Sequence, residues 1–405
     1  MTNPVGYGWA IVAAMFFMQT VSSGLGFYNM SVYMAEFAKA LELPLAQVSF
    51  AVTLFFLVGG VAGMQIAKLM EIFHVRWIVM VGALLAGVSL SSVALADALW
   101  QIYVLFILFG IGYTGTSLVV ATTLVTQWFP GPNRSVALSI ASTGLSFGGV
   151  IVTPLTAYLF NSIGAPATIP YLGLAYVVFI VPLAWWVIRP APPLPLSQRR
   201  DEEGGWTYQQ AIRTRFFLML SAGYVFAQGS QVGGIAHLYN RVTELADFKV
   251  AATAVQVLTI GSILGRFAGG WVVMHVPIRA FTLANLALQM IGLGVVAYAT
   301  STPMVLFGAA AFGVSVGNVL MLQPLWLADA FPGAIYPRVF ALGNAATLVG
   351  VALGPFALGV AYDAAGYTVA YSVALSLCAL ALIIIAAAGR RPQPLPVAPE
   401  PGEQP

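Results

Sequence analysis

The chain has 405 residues, of which 60% are hydrophobic and only 7% charged, with a formal net charge of +3. Soluble domains carry roughly 25% charged residues, so a globular fold surrounded by water is excluded and lipid is the solvent this surface requires. The few positive charges form no basic patch, which excludes a nucleic-acid-binding chain.

A spanning helix needs about 20 mostly apolar residues. Twelve stretches qualify, near 9–36, 46–69, 76–96, 99–125, 135–162, 168–188, 215–240, 250–273, 279–299, 303–327, 338–361 and 367–388. They are too long and too uniformly apolar for the short alternating strands of a membrane barrel. Met1–Gly8 holds no basic residue and no small-residue cleavage site follows, so the first stretch reads as an uncleaved span. The single cysteine, Cys378, lies in the last span and allows no internal disulfide.

Polar residues punctuate the spans at helical spacing. Span one carries Ser22, Gly26, Asn29 and Tyr33 on one stripe, with Gln19 and Tyr28 beside it. Span four brings Tyr113, Thr116 and Ser117 among Gly110, Gly112 and Gly115, and span five holds Gly144, Gly148 and Gly149; these glycines read as packing surfaces. Span seven offers Tyr224, Gln228 and Gln231 on one face and His237 further along. A histidine can change charge near neutral pH, which makes His237 the proton-coupling candidate; its alternative reading is a solvated hydrogen bonder. Spans ten and eleven add Asn318, Gln323 and Asn344. Each of these polar residues fits either helix–helix hydrogen bonding or solute contact.

Span eight holds Arg266, with no other charge between Lys249 and Arg279. A charge at membrane depth costs about 2.5–3.5 kcal/mol on insertion scales, and arginine presents a planar fork of donors that matches a carboxylate. Thr259, Ser262 and Ile263 share its face. Snorkelling to the nearer interface, or a structural bond to helix carbonyls, are the alternatives to substrate binding. The span-edge acids Glu36 and Asp329 lie close to water, and no acid stands at the midplane.

The chain is written twice, about 202 residues apart. Phe129-Pro130-Gly131 recurs as Phe331-Pro332-Gly333, Arg134-x-x-Ala137-Leu138 as Arg338-x-x-Ala341-Leu342, and Gly63 as Gly265. The expected organisation is an N-terminal six-helix bundle over 1–189, a central cytoplasmic loop over 190–214, a C-terminal six-helix bundle over 215–388 and a disordered cytoplasmic tail over 389–405. The proline-rich and charged residues 189–206 stop the sixth helix, and a short surface helix is expected near Thr207–Ile212. Of the 16 basic residues, only Lys39, Arg241 and Lys249 fall on the side opposite the termini and Arg266 lies within a span. The positive-inside rule then puts both termini in the cytoplasm. Parallel repeats place a solute site between the halves, near the midplane.

Several motifs carry a family resemblance. Gly6-Tyr7-Gly8-Trp9 at the first span, WFPGPNRSVALSIASTGLSFGG over 128–149, and Gly265-Arg266 resemble the corresponding segments of monocarboxylate transporters and oxalate/formate antiporters, which are major facilitator superfamily carriers. The resemblance covers the chain to about residue 388. It implies an all-α integral membrane fold with 12 transmembrane helices in two pseudo-symmetric six-helix bundles, and it gives Arg266 the role of substrate-binding arginine. The loop after span two, AKLMEIFHVRW, departs from the family pattern, with Glu71 near the usual Asp and His74 where Gly is usual. Its counterpart, WVVMHVPIRAF, has lost the acid, which implies a weaker cytoplasmic latch. Ser262 stands where animal-type carriers have an aspartate, and span eleven lacks the lysine of oxalate carriers, so one cationic anchor suits one carboxylate.

The expectation is therefore a multi-pass transporter of the inner or plasma membrane that carries a small organic monocarboxylate by alternating access, with a proton as possible companion. A hydrophobic-compound exporter and an organic-anion exchanger are the alternatives. Expected substrate-binding residues are Arg266, His237, Asn29, Tyr28, Ser262, Gln228, Gln231, Tyr113, Asn318 and Asn344, with Arg134, Glu71, Arg76 and Arg338 in gating or structural roles. No cofactor, metal or catalytic residue is expected, and the chain is expected to work as a monomer.

Overall fold

The computed structural model describes residues 4–129, 133–189, 206–331, 335–389 and 391–392. Helix α1 (Pro4–Ser23) passes through a π-helical turn (Gly24–Tyr28) into α2 (Met30–Ala40), and together they form the first span. The first half continues with α3 (Leu45–Ile72), α4 (Val75–Ser92), α5 (Leu99–Thr114), α6 (Leu118–Trp128), α7 (Arg134–Ile163) and α8 (Ala165–Trp186). A short α9 (Tyr208–Arg213) falls where a surface helix was expected. It leads to α10 (Arg215–Thr243), α11 (Phe248–Val272), α12 (Ile278–Tyr298), α13 (Thr302–Ala330) and α14 (Tyr336–Ala387).

Ten stretches among the described residues are long and apolar enough to cross a membrane. Two physical details raise ten to twelve. Helix α10 spans 29 residues, about 43 Å at 1.5 Å per residue, but Gln228, Gln231, His237, Asn240 and Arg241 dilute its hydropathy. Helix α14 is two spans joined across a break at Ala365 and Gly366, where Gly366 takes φ 77°. Gly164, 202 residues earlier, takes φ 82° between α7 and α8. Both positions need a left-handed backbone to turn one span into the next, and glycine adopts it without a Cβ clash. The repeat thus extends to backbone conformation: Phe129 (φ −121°, ψ 75°) ends α6 as Phe331 (φ −131°, ψ 69°) ends α13.

Helix pairing repeats as well. In the first half α1 packs on α7, α3 on α5, and α4 on α5 and α8; in the second, α10 packs on α14, α11 on α13, and α12 on α13 and α14. Lipid gives no hydrophobic drive to hold helices together, so close backbone approach at small residues supplies it. A Cβ on Gly110 would collide with the Phe55 carbonyl of α3, and one on Gly313 with the Leu258 carbonyl of α11. Gly144 lies against the Phe16 backbone of α1, and Gly350 against the Val225 backbone of α10.

The halves meet along three seams: α3 with α14, α7 with α11, and α2 with α10. An even number of crossings puts the start of α1 and the end of α14 on one side, here called the proximal side. At the distal side Asp363, beyond Pro355 on α14, caps the start of α3 in the other half. Its carboxylate accepts from the Leu45 amide at 3.0 Å and the Ala46 amide at 2.8 Å. Phe50 and Phe356 meet edge to face 5.4 Å apart in the same seam. The expected loop over 190–214 and tail over 389–405 lie largely outside the described residues.

Candidate functional site

The first half breaks its two central helices at mid-depth. At the end of the π-helical turn, Asn29 separates α1 from α2. Between α5 and α6, Gly115–Ser117 leave the helical path and Ser117 is extended (φ −76°, ψ 173°). Freed backbone groups need partners at membrane depth. In the orientation that pairs both of its amide atoms, Gln19 donates to the Thr116 carbonyl at 2.8 Å and accepts from the Leu118 amide at 3.2 Å. Below the break, Ser22, Thr116 and Tyr176 form a closed triangle of hydroxyls at 2.9, 2.9 and 2.6 Å. The breaks touch each other, because Gly26 lies under the Tyr113 ring.

Arg266 comes from the other half. It sits on the face of α11 that meets α7 and donates from Nη1 to the Ser142 carbonyl at 3.1 Å. One turn away, Ser262 and Ser146 face each other with hydroxyls 3.4 Å apart. Tyr28 reaches into the same corner, where its hydroxyl meets Ser146 and interacts with the Arg266 guanidinium.

A comparison with Arg241 shows what is distinctive. Arg241 is 6% exposed and spends its fork on the end of α12, donating to the carbonyls of Val296 at 3.2 Å, Ala297 at 3.1 Å and Ala299 at 3.0 Å. Glu244 lies 3.5 Å from it. Arg266 is half-buried, makes one hydrogen bond to a carbonyl and has no acidic partner within bridging distance among the described residues. A guanidinium carries five N–H donors, and a carboxylate accepts two of them side by side. Arg241 is a structural cap; Arg266 is a cation held in place with most of its fork open.

The expected residues separate into groups. Tyr28, Ser262 and Arg266 converge. Tyr224, Gln228 and Gln231 share one face of α10, turned away from both the α14 contacts (Val225, Gly229, Gly233) and the α12 contacts (Ala227, Ser230, Gly234). The Tyr224 hydroxyl and both amide oxygens are buried with no partner. Asn29 donates to Thr156 of α7 at 2.7 Å and to Tyr33 at 3.4 Å, and its oxygen has no partner. Asn318 is committed elsewhere: it donates to Asn285 of α12 at 3.2 Å and to the Val314 carbonyl, against Gly269 of α11. Asn344 is exposed on the proximal part of α14.

His237 is not beside Arg266. Its Nε2 lies 2.8 Å from the Pro355 carbonyl and 3.4 Å from Ser49 Oγ, inside the distal α3–α14 seam. It stands six residues from the distal end of α10 and Arg266 eighteen from that of α11, an axial gap of about 18 Å. Arg338 is exposed and Arg76 half-buried, with its Nε unpartnered. The side chains of Arg134 and Glu71 lie outside the described residues.

Three features escaped the sequence reading: the α7 surface that receives Arg266, the Asp363 cap and the helix breaks. The first had a signal, since Ser142, Ser146, Thr153 and Thr156 fall on one face of α7 at helical spacing. Asp363 had a weaker one, an acid at a span end.

Known proteins agree with this architecture. The profile of the Major Facilitator Superfamily matches residues 16–324 and 247–405. Monocarboxylate transporter 13 of Rattus norvegicus is 26% identical over 77% of this chain and 72% of its own length. A gallate transporter of Pseudomonas putida is 25% identical over 66% of this chain and 65% of its own. In fold, the chain resembles a bacterial homolog of the human lysosomal transporter Spinster in an inward-facing, occupied conformation, with TM-score 0.71, 17% identity and 96% of both chains covered. The chain belongs to the major facilitator superfamily and resembles its monocarboxylate transporters.

Proposed function

We propose that this superfamily member is a secondary transporter of a small organic monocarboxylate, and that Arg266 is the anchor for the carboxylate. The supporting observation is the open fork of Arg266 at the α7–α11 seam, set against the fully engaged Arg241. The chain's likeness to a gallate transporter and to monocarboxylate transporters points to the same substrate class.

The seam gives the anion something to do. An unoccupied Arg266 is a bare cation that holds α11 to the Ser142 carbonyl of α7. A carboxylate that takes the fork bidentately competes for the donor bound to Ser142 and neutralises the charge. The loaded carrier then swings its halves past each other without moving an uncompensated charge through low dielectric. Tyr28 offers a hydroxyl to the same anion. The distal seam, capped by Asp363, is closed while the anchor lies about 9 Å from the proximal end of α11. A proton that accompanies the anion has its site at His237, whose Nδ1 is buried without a partner. Protonation there acts on the distal seam and so couples to the anion through the movement of the halves.

The test is uptake of labelled acids into liposomes holding the purified chain, with and without a pH gradient. Arg266→Ala is expected to reduce carboxylate uptake at least a hundredfold. Unchanged flux in that variant would sink the assignment.

A further inference from the structure

We infer that the transported carboxylate carries hydroxyl groups at its far end, read by a set of uncharged polar groups on the seam-forming helices of both halves, on the distal side of Arg266. This rests on the reading of Arg266 as the carboxylate anchor and specifies the chemistry at the opposite pole of the same site.

Among the described residues fifteen buried side-chain atoms have no hydrogen-bond partner, and six of them matter here: Asn29 Oδ1, Thr53 Oγ1 and Thr153 Oγ1 in the first half, and Tyr224 Oη, Gln228 Oε1 and Gln231 Oε1 in the second. None of the six residues is more than 3% exposed. A buried polar atom left unpaired carries the full desolvation penalty of its group, and such atoms are few in a native fold. These six stand on or beside α2, α3, α7 and α10, the helices that form the three seams between the halves, and their position points to a common partner.

Their directions support that. On α3, Thr53 shares the face of Ser49 and Gly60, which touch the second half through Gly359 and Leu348. On α7, Thr153 shares the face of Ser142 and Ser146, which meet Arg266 and Ser262. Asn29 is fixed to α7 through Thr156. The α10 stripe looks away from α12 and α14 of its own bundle.

Depth orders them. Counted from the distal ends of their helices at 1.5 Å per residue, Thr53, Thr153, Asn29, Gln231 and Gln228 stand at about 12 to 22 Å. On the same scale Arg266 stands at about 27 Å and Tyr224 at about 28 Å. A solute gripped at Arg266 extends past Tyr224 toward these groups. Hydroxyls donate to the amide oxygens and exchange hydrogen bonds with Thr and Tyr hydroxyls. A purely hydrocarbon tail would leave all six unpaired. No second charge stands among the six, so a second carboxylate is disfavoured.

The experiment measures competition for uptake into liposomes by matched pairs, gluconate against hexanoate and gallate against benzoate. At least one hydroxylated acid is expected to compete tenfold or more better than its deoxygenated partner; the pair that discriminates tells whether the hydroxyls sit on a chain or a ring. Gln228→Leu and Gln231→Leu should lower that preference at least fivefold. Thr153→Val, close in shape, tests the same pole with little risk to folding and should cost the preference about twofold. Equal competition within both pairs overturns the inference and leaves the carboxylate anchor standing, as does an equal loss for all acids in the variants. If no acid enters and Arg266→Ala changes nothing, the anchor falls and takes this inference with it.

Discussion

The two halves of this transporter share a scaffold and differ in their centres. Helix pairing, the left-handed glycines at 164 and 366 and the ends of α6 and α13 recur at one offset. Yet the first half interrupts its central helices at Gly24–Asn29 and Gly115–Ser117, while α10 and α13 in the second run 29 residues without a break. The first half meets the seam with irregular backbone and hydroxyls. The second meets it with long side chains: Arg266, two glutamines and a tyrosine. The repeat keeps what packs helices, and the candidate site falls where the two copies differ.

The sharpest way to break this comparison is to move the charge across the repeat. Met64 stands 202 residues before Arg266. If the halves were interchangeable, Met64→Arg combined with Arg266→Met would restore transport. We expect uptake to stay at least a hundredfold below wild type, about 2.7 kcal/mol or more at 1.36 kcal/mol per tenfold, because α3 has no counterpart of the Ser142 and Tyr28 setting.

The next test addresses the seam that joins the halves. Asp363→Ala removes a carboxylate that caps α3 from the other half. Loss of a helix cap costs about 1 kcal/mol, so the distal side should open about fivefold more often. Labelling of a cysteine introduced at Ser49, in a chain with Cys378 replaced by Ala, reads this directly. Unchanged labelling would show that the cap does not hold the gate.

A smaller contrast concerns the breaks. Gln19→Leu should lower stability by about 1–3 kcal/mol, since it strips partners from buried backbone groups at Thr116 and Leu118. Its repeat counterpart, Ser221, has an unpartnered hydroxyl beside an unbroken helix, so Ser221→Ala should be near neutral. Thermal unfolding in detergent compares the two, and equal shifts would contradict the asymmetry. The smallest effects should be symmetric: Gly164→Ala and Gly366→Ala each force a Cβ into a left-handed backbone, costing about 1–2 kcal/mol alike in the same measurement.

Much of the architecture was legible before any coordinates. Composition demanded a membrane, run lengths gave the spans, the 202-residue repeat gave two bundles, and the isolated charge marked Arg266. These are local or periodic properties, which one chain displays in one dimension. The partners of that charge were not legible. Tyr28 and Ser262 do converge on it, but Asn318 is taken by Asn285, and His237 lies in the distal seam instead. Ser142 supplies a backbone carbonyl, which no side-chain pattern announces. The breaks in the first and fourth spans leave little trace in hydropathy, because Gln19 and hydroxyls replace the lost backbone bonds within apolar sequence. The sequence by itself thus determined that the chain crosses the membrane in two similar halves and carries one costly cation inside. Only the tertiary structure decided which helix faces meet, and therefore which buried polar atoms are satisfied and which are left without a partner.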